Sequence, residues 1–92
     1  MPSPVLLVEI LSPGNKGDTW ENVRAYATIP TVVEVLVVES TRIGAFVLRK
    51  GADGAWPELP EIVAVGGRLR LTSIGLDCPI ADLYVNTHLA RG

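Results

Sequence analysis

The chain has 92 residues, a formal net charge of −2, 48% apolar residues and one cysteine. That length makes one small domain. The lone Cys78 excludes an internal disulfide framework or a cysteine metal site, and the Lys and Arg residues are too scattered to leave a footprint for tight non-specific nucleic-acid binding.

A domain of this size buries only roughly 64% of its unfolded surface. An apolar share of 48% with a mean hydropathy of +0.33 therefore predicts a surface that a partner covers, or an element missing from this chain. Each long apolar run is interrupted by a Glu and falls short of bilayer thickness, so no membrane span is expected. Met1-Pro2-Ser3-Pro4 lacks the basic stretch of an export signal, and with one cysteine this predicts a reducing, cytoplasmic setting.

Pro4 to Leu11 is an apolar run that predicts a buried strand, with Glu9 inside it. Burying a carboxylate without a partner costs on the order of several kcal/mol. Either Glu9 reaches solvent at the strand's carboxyl end, or something cationic holds it there, and ligands of open α/β sheets gather at that end. Alternation sets Glu9 on one face with Val5, Leu7 and Leu11, turned toward the amino end of the next helix.

Ser12 to Gly17 reads as a turn. Asp18 and Glu21 then have capping-box spacing, which predicts Asp18 as N-cap of a helix from Thr19 to about Ile29, stopped by Pro30. Trp20, Val23 and Ala27 form its apolar face, while Asp18, Asn22 and Tyr26 line a neighbouring, solvated one. Val32 to Glu39 reads as a strand covered on both faces, with Glu34 and Glu39 as its solvated ends. Strand, helix and strand predict a βαβ crossover.

After a turn at Ser40-Thr41, Ile43 to Arg49 returns antiparallel. Gly51 to Gly54 is a turn, Trp56 to Glu61 a loop, and Leu69 to Thr72 a short fourth strand. Ile80, Leu83 and Tyr84 predict a closing helix with Pro79 in its first turn. Ser12 lacks a His and Asp at triad spacing, Gly66-Gly67 lacks the context of a phosphate loop, and His88 stands alone in a polar tail. The expected architecture is a single α/β domain over residues 1–92, a small mixed sheet with one crossover helix and a short C-terminal helix.

The order Val8-Glu9-Ile10-Leu11-Ser12-Pro13, Asp18, Tyr26, Ile29-Pro30 and Glu34 to Val38 resembles the Uma-two family of restriction-endonuclease-like proteins. Asp53-Gly54-Ala55-Trp56, Leu71 to Leu76 and Ala81 to Tyr84 look like the carboxyl half of the same family. The resemblance implies a PD-(D/E)XK-type fold, Mg²⁺-dependent cleavage of DNA, and Glu9 as a metal-binding carboxylate. In this chemistry the cation activates a water and steadies the leaving oxygen.

The chain departs from the family in two ways. The family's Pro-Asp strand, with the second metal carboxylate, is expected to lie upstream of this segment. The helix position that often carries a catalytic Lys in the family is Asn22 here, an amide that can hold a water or a phosphate oxygen but brings no charge. One carboxylate leaves most of an octahedral Mg²⁺ shell to water, so only weak binding is expected. The resemblance therefore implies an endonuclease-like domain that is inactive as this isolated chain. The alternative is a non-catalytic oligomerisation or protein-interaction module built on the same fold. Because the strand at residues 4–11 is internal in the family, its free edge here predicts a homodimer burying more than about 1,000 Å².

Overall fold

The computed structural model describes residues 5–84. Pro4, the expected first residue of the first strand, and His88 lie outside them. The elements are β1 (Val5–Leu11), α1 (Lys16–Tyr26), β2 (Val32–Glu39), β3 (Gly44–Arg49), β4 (Glu61–Ala64), β5 (Arg68–Leu71), β6 (Leu76–Pro79) and a 3₁₀ turn at Ile80–Tyr84. The fold is α/β, as the pattern of the chain predicts.

The main sheet has the order β1-β2-β3-β4, with β1 and β2 parallel and the remaining pairs antiparallel. The apolar β1 and β2 are thus neighbours joined through α1. β5 and β6 form a separate antiparallel hairpin.

The sheet is covered on both sides. On one, Leu7, Val35, Val37, Phe46 and Leu48 pack with Trp20 and Val23 of α1 and with Trp56. On the other, Leu36, Ala45, Val47 and Val63 pack under Leu69 and Leu71 of the hairpin and Ile80 and Tyr84 of the 3₁₀ turn. α1 covers only one face of β2; the hairpin and the 3₁₀ turn supply the lid on the other. The Tyr84 hydroxyl fastens this lid, lying 2.7 Å from the Glu39 carbonyl oxygen and 3.0 Å from that of Gly44.

Three local expectations also need correction. First, Asn15 and not Asp18 occupies the N-cap position of α1. Asn15 closes the preceding turn, its Oδ1 accepting the Ser12 N–H at 2.7 Å, and its carbonyl already accepts the Thr19 N–H at 2.9 Å. Asp18 falls in the first helical turn, where its charge still suits the positive end of the helix. The helix also stops at Tyr26, before the turns that lead to Pro30.

Second, the stretch read as a loop at Trp56 to Glu61 runs into β4, which adds an outer strand beside β3. Third, Pro79 ends β6 instead of opening a helix. A strand at the edge of a sheet tolerates a residue without an N–H.

Candidate functional site

Glu9 lies two residues short of the end of β1, on the same side of the sheet as Leu7 and α1. It faces the carboxyl end of the helix, not the amino end that the sequence predicts. The reason is Tyr26, the last residue of α1, whose hydroxyl donates to Glu9 Oε1 at 2.5 Å. Tyrosine is long enough to reach back from the helix end to a carboxylate in mid-sheet. The hydrogen bond to Glu9, then loss of water and the charge of Glu9, push the Tyr26 hydroxyl above its ordinary value of 10.0.

The other site candidate does not join this pair. Asn22 is exposed, one turn before Tyr26, and its side chain makes no hydrogen bond among the described residues. Asp18 is exposed as well. Among the described residues, no group of three or more His, Cys, Asp or Glu side chains could hold a metal ion. Glu9 offers one carboxylate, and one of its oxygens already accepts from Tyr26. That leaves one carboxylate oxygen for Mg²⁺, so water or substrate oxygens would have to complete its octahedral shell.

The hollow where α/β proteins collect ligands is present but separate. At the carboxyl ends of β1 and β2, a cleft of about 320 Å³ is lined by Leu11, Ser12, Pro13, Glu39, Thr41 and Arg42. Glu9 does not line it. Its carboxylate comes from Glu39, already clamped by Arg42 through Nε–Oε2 at 2.6 Å and Nη2–Oε1 at 3.1 Å. Gly44 leaves room for that carboxylate, since a Cβ there would come within 2.5 Å of Glu39 Oε2. Another hollow, of about 310 Å³, lies between α1 and the Trp56–Pro60 loop and is walled mainly by Trp20, Val23, Val35, Leu48 and Trp56.

The charged group the sequence misplaces is Glu34. Read there as a solvated strand end, it is 0% exposed. It faces the hairpin side of the sheet and accepts from Arg49 Nε at 2.8 Å, from the backbone N–H groups of Thr72 and Ser73 at 3.2 and 3.0 Å, and from the Ser73 hydroxyl at 2.6 Å. Burial pushes the Glu34 carboxyl up, but these donors outweigh it and hold the group below its ordinary value of 4.5. With all its donors supplied by the fold, Glu34 ties the lid to the sheet and is not a reactive group. Nothing local in the sequence marks it, because its partners on the lid lie 38 and 39 residues away.

The main sheet has two outer strands, β1 and β4, and β1 is the longer, 7 residues against 4. No described strand pairs with the outer edge of β1. The Val5 N–H bonds the Thr31 carbonyl and the Leu11 carbonyl accepts from the Ser40 N–H, so odd-numbered residues of β1 turn their backbone groups inward to β2. By alternation Leu6, Val8 and Ile10 turn theirs outward. The Ile10 carbonyl meets Asn15 Nδ2 at 3.3 Å and Thr19 Oγ1 at 3.4 Å, which agrees with that direction. Among the described residues, nothing covers the backbone groups of Leu6 and Val8 in this way. On the hairpin side, Val8 and Ile10 are 53% and 51% exposed, because the lid sits over β2 and β3.

No family model matches the chain, and neither a curated protein nor a solved structure matches it. The likeness to the Uma-two family rests on the sequence motifs alone. Among the described residues, no helix is long and apolar enough to cross a membrane.

Proposed function

We propose that this domain is a non-catalytic assembly module that forms a homodimer through β1. The observation that carries this reading is that no described residue pairs with the outer edge of β1, together with the exposed Val8 and Ile10 beside it. Unpaired strand edges are templates for pairing, and natural proteins blunt them with charges, bulges or covers. Among the described residues nothing covers Leu6 to Val8 and no charge lies there; the irregularity in the β1–β2 register falls at the Val5–Leu6 step. Mutual burial of Val8 and Ile10 adds roughly 25 cal/mol for each Å² of apolar surface removed from water.

Light scattering tests the reading. The chain should scatter as a dimer of its 9.8 kDa mass at micromolar concentration. The double variant Val8→Lys/Ile10→Lys should be a folded monomer with unchanged circular dichroism. A wild-type chain that stays monomeric up to its solubility limit defeats the proposal.

A second reading keeps the endonuclease resemblance. It is favoured by the position of Glu9, half-exposed near the carboxyl end of a parallel strand beside a tyrosine hydroxyl. On that reading the domain is a DNA-cleaving core in which Glu9 and Asn22 face the substrate. Against it, Glu9 offers a single carboxylate, one oxygen of which Tyr26 already occupies, and Arg68 and Arg70 share the one carboxylate of Asp77, which leaves little excess positive charge on the hairpin. Incubating the purified chain with duplex DNA and Mg²⁺ or Mn²⁺ should give no cleavage. Cleavage lost in Glu9→Ala would restore the enzyme.

A further inference from the structure

The free backbone groups of β1 also fix how two copies would meet. Resting on the assembly reading above, we infer that two chains pair antiparallel about a two-fold axis running between Leu7 of one copy and Leu7 of the other, so that Leu6 of each stands opposite Val8 of its twin.

Three observations select this register. The first is the count of available groups. In an antiparallel pair, residues whose groups point outward face each other and exchange both N–H···O bonds. With Leu6 against Val8, every outward N–H and C=O of these two residues finds a free partner. Sliding one step so that Val8 faces Val8 sets Leu6 against Ile10. The Leu6 N–H would then need the Ile10 carbonyl, which Asn15 and Thr19 already occupy.

The second is the next outward residue along the strand. In the inferred register the paired stretch runs from Val5 to Glu9 of each copy, so Ile10, whose carbonyl Asn15 and Thr19 already fill, stands outside it.

The third is charge. Glu9 stands against Val5 of the second copy, and the two Glu9 side chains lie four residues apart along the strand, roughly 13 Å at 3.3 Å per residue. The register centred on Val8 would put the carboxylates diagonally adjacent, and one centred on Glu9 would put them face to face. Like charges directly opposite on a sheet destabilise it. On the helix side, Leu7 meets Leu7. On the hairpin side, the exposed Val8 packs on Leu6 of the second copy, which extends the cluster under the lid across the interface.

Disulfide trapping reads the register. In a Cys78→Ser background, Leu7→Cys places the new thiols in a non-hydrogen-bonded pair, with Cα atoms about 4.5 Å apart, inside the range a disulfide spans. Mild oxidation with glutathione disulfide should convert Leu7→Cys mainly to a linked dimer and leave Val8→Cys and Glu9→Cys mostly unlinked. Linking led by Val8→Cys or Glu9→Cys overturns the register, while light scattering still reports the dimer and the assembly reading stands. A monomeric wild type removes both. Val8→Pro gives an independent check. It deletes an outward N–H and leaves the bonds of β1 to β2 untouched, so the variant should fold with native circular dichroism and lose the dimer. A Val8→Pro chain that folds and stays dimeric overturns the inference.

Discussion

Glu34 and Ser73, 39 residues apart in sequence, are joined twice: both the N–H and the hydroxyl of Ser73 donate to Glu34 Oε1, at 3.0 and 2.6 Å. With Arg49 at 2.8 Å, this knot pins the turn after β5 to the underside of β2. Removing one partner of a buried ion pair typically costs about 3–5 kcal/mol, against a total stability of about 5–15 kcal/mol for a domain. Glu34→Ala should therefore remove a large part of that stability. Ser73→Ala, which leaves both backbone donors, should lose only about 1.5–3 kcal/mol. Urea denaturation of the two variants checks the order.

The same carboxylate sets an acid limit. Its folded value lies below 4.5, so its contribution is fully present above the unfolded value and is lost as pH falls through the folded one. Wild-type stability should decline below about pH 4.5, as protonation removes the charge that Arg49 and Ser73 hold. In Glu34→Gln the decline over that window should be shallower. Midpoints of thermal unfolding between neutral and strongly acid pH give the comparison.

At the start of α1, the structure assigns more to Asn15 than to Asp18. Asn15 makes no side-chain capping bond to the helix, but Asn15→Ala loses side-chain bonds to the Ser12 N–H and the Ile10 carbonyl and should cost about 1–2 kcal/mol. Asp18→Ala gives up only a favourable interaction with the helix dipole and should cost about 0.3–1 kcal/mol. Equal losses, or a larger loss at Asp18, would contradict this assignment.

The bond between Tyr26 and Glu9 has an optical readout. Both tyrosines, Tyr26 and Tyr84, ionise above 10.0, Tyr84 chiefly because it is buried. In Glu9→Gln the carboxylate that raises Tyr26 is gone. One tyrosine should then titrate closer to its ordinary value, and the other should stay where it was. Absorbance near 295 nm against pH records both steps.

Much of the sheet was legible from residue type. β2 and β3 are dense in β-branched and apolar residues, and the sequence places them within one residue of their observed bounds. β4 was not legible, because only Val63 of its residues is buried and two prolines precede it. The start of α1 was ambiguous in kind: Asn15 and Asp18 are both good caps, and the turn that Ser12 makes with Asn15 decides between them. The site was legible only in part. Glu9 stands out in its apolar run, but nothing local says that Tyr26 will reach it. Glu34 has the look of a strand end because a strand buried on both faces carries no alternation to expose a misplaced charge. The lid was hidden for the same reason, since β5 and β6 are short and their partners are distant.

Hydrogen exchange at single amides along β1 tests the central claim most directly. The N–H groups of Leu7 and Glu9 turn inward to β2, and those of Leu6 and Val8 turn to the outer edge. The account predicts that at micromolar concentration all four exchange slowly, because the second copy covers the outer pair. Leu6 and Val8 amides that exchange as fast as an unfolded chain, beside protected Leu7 and Glu9, would mean that the edge of β1 is bare.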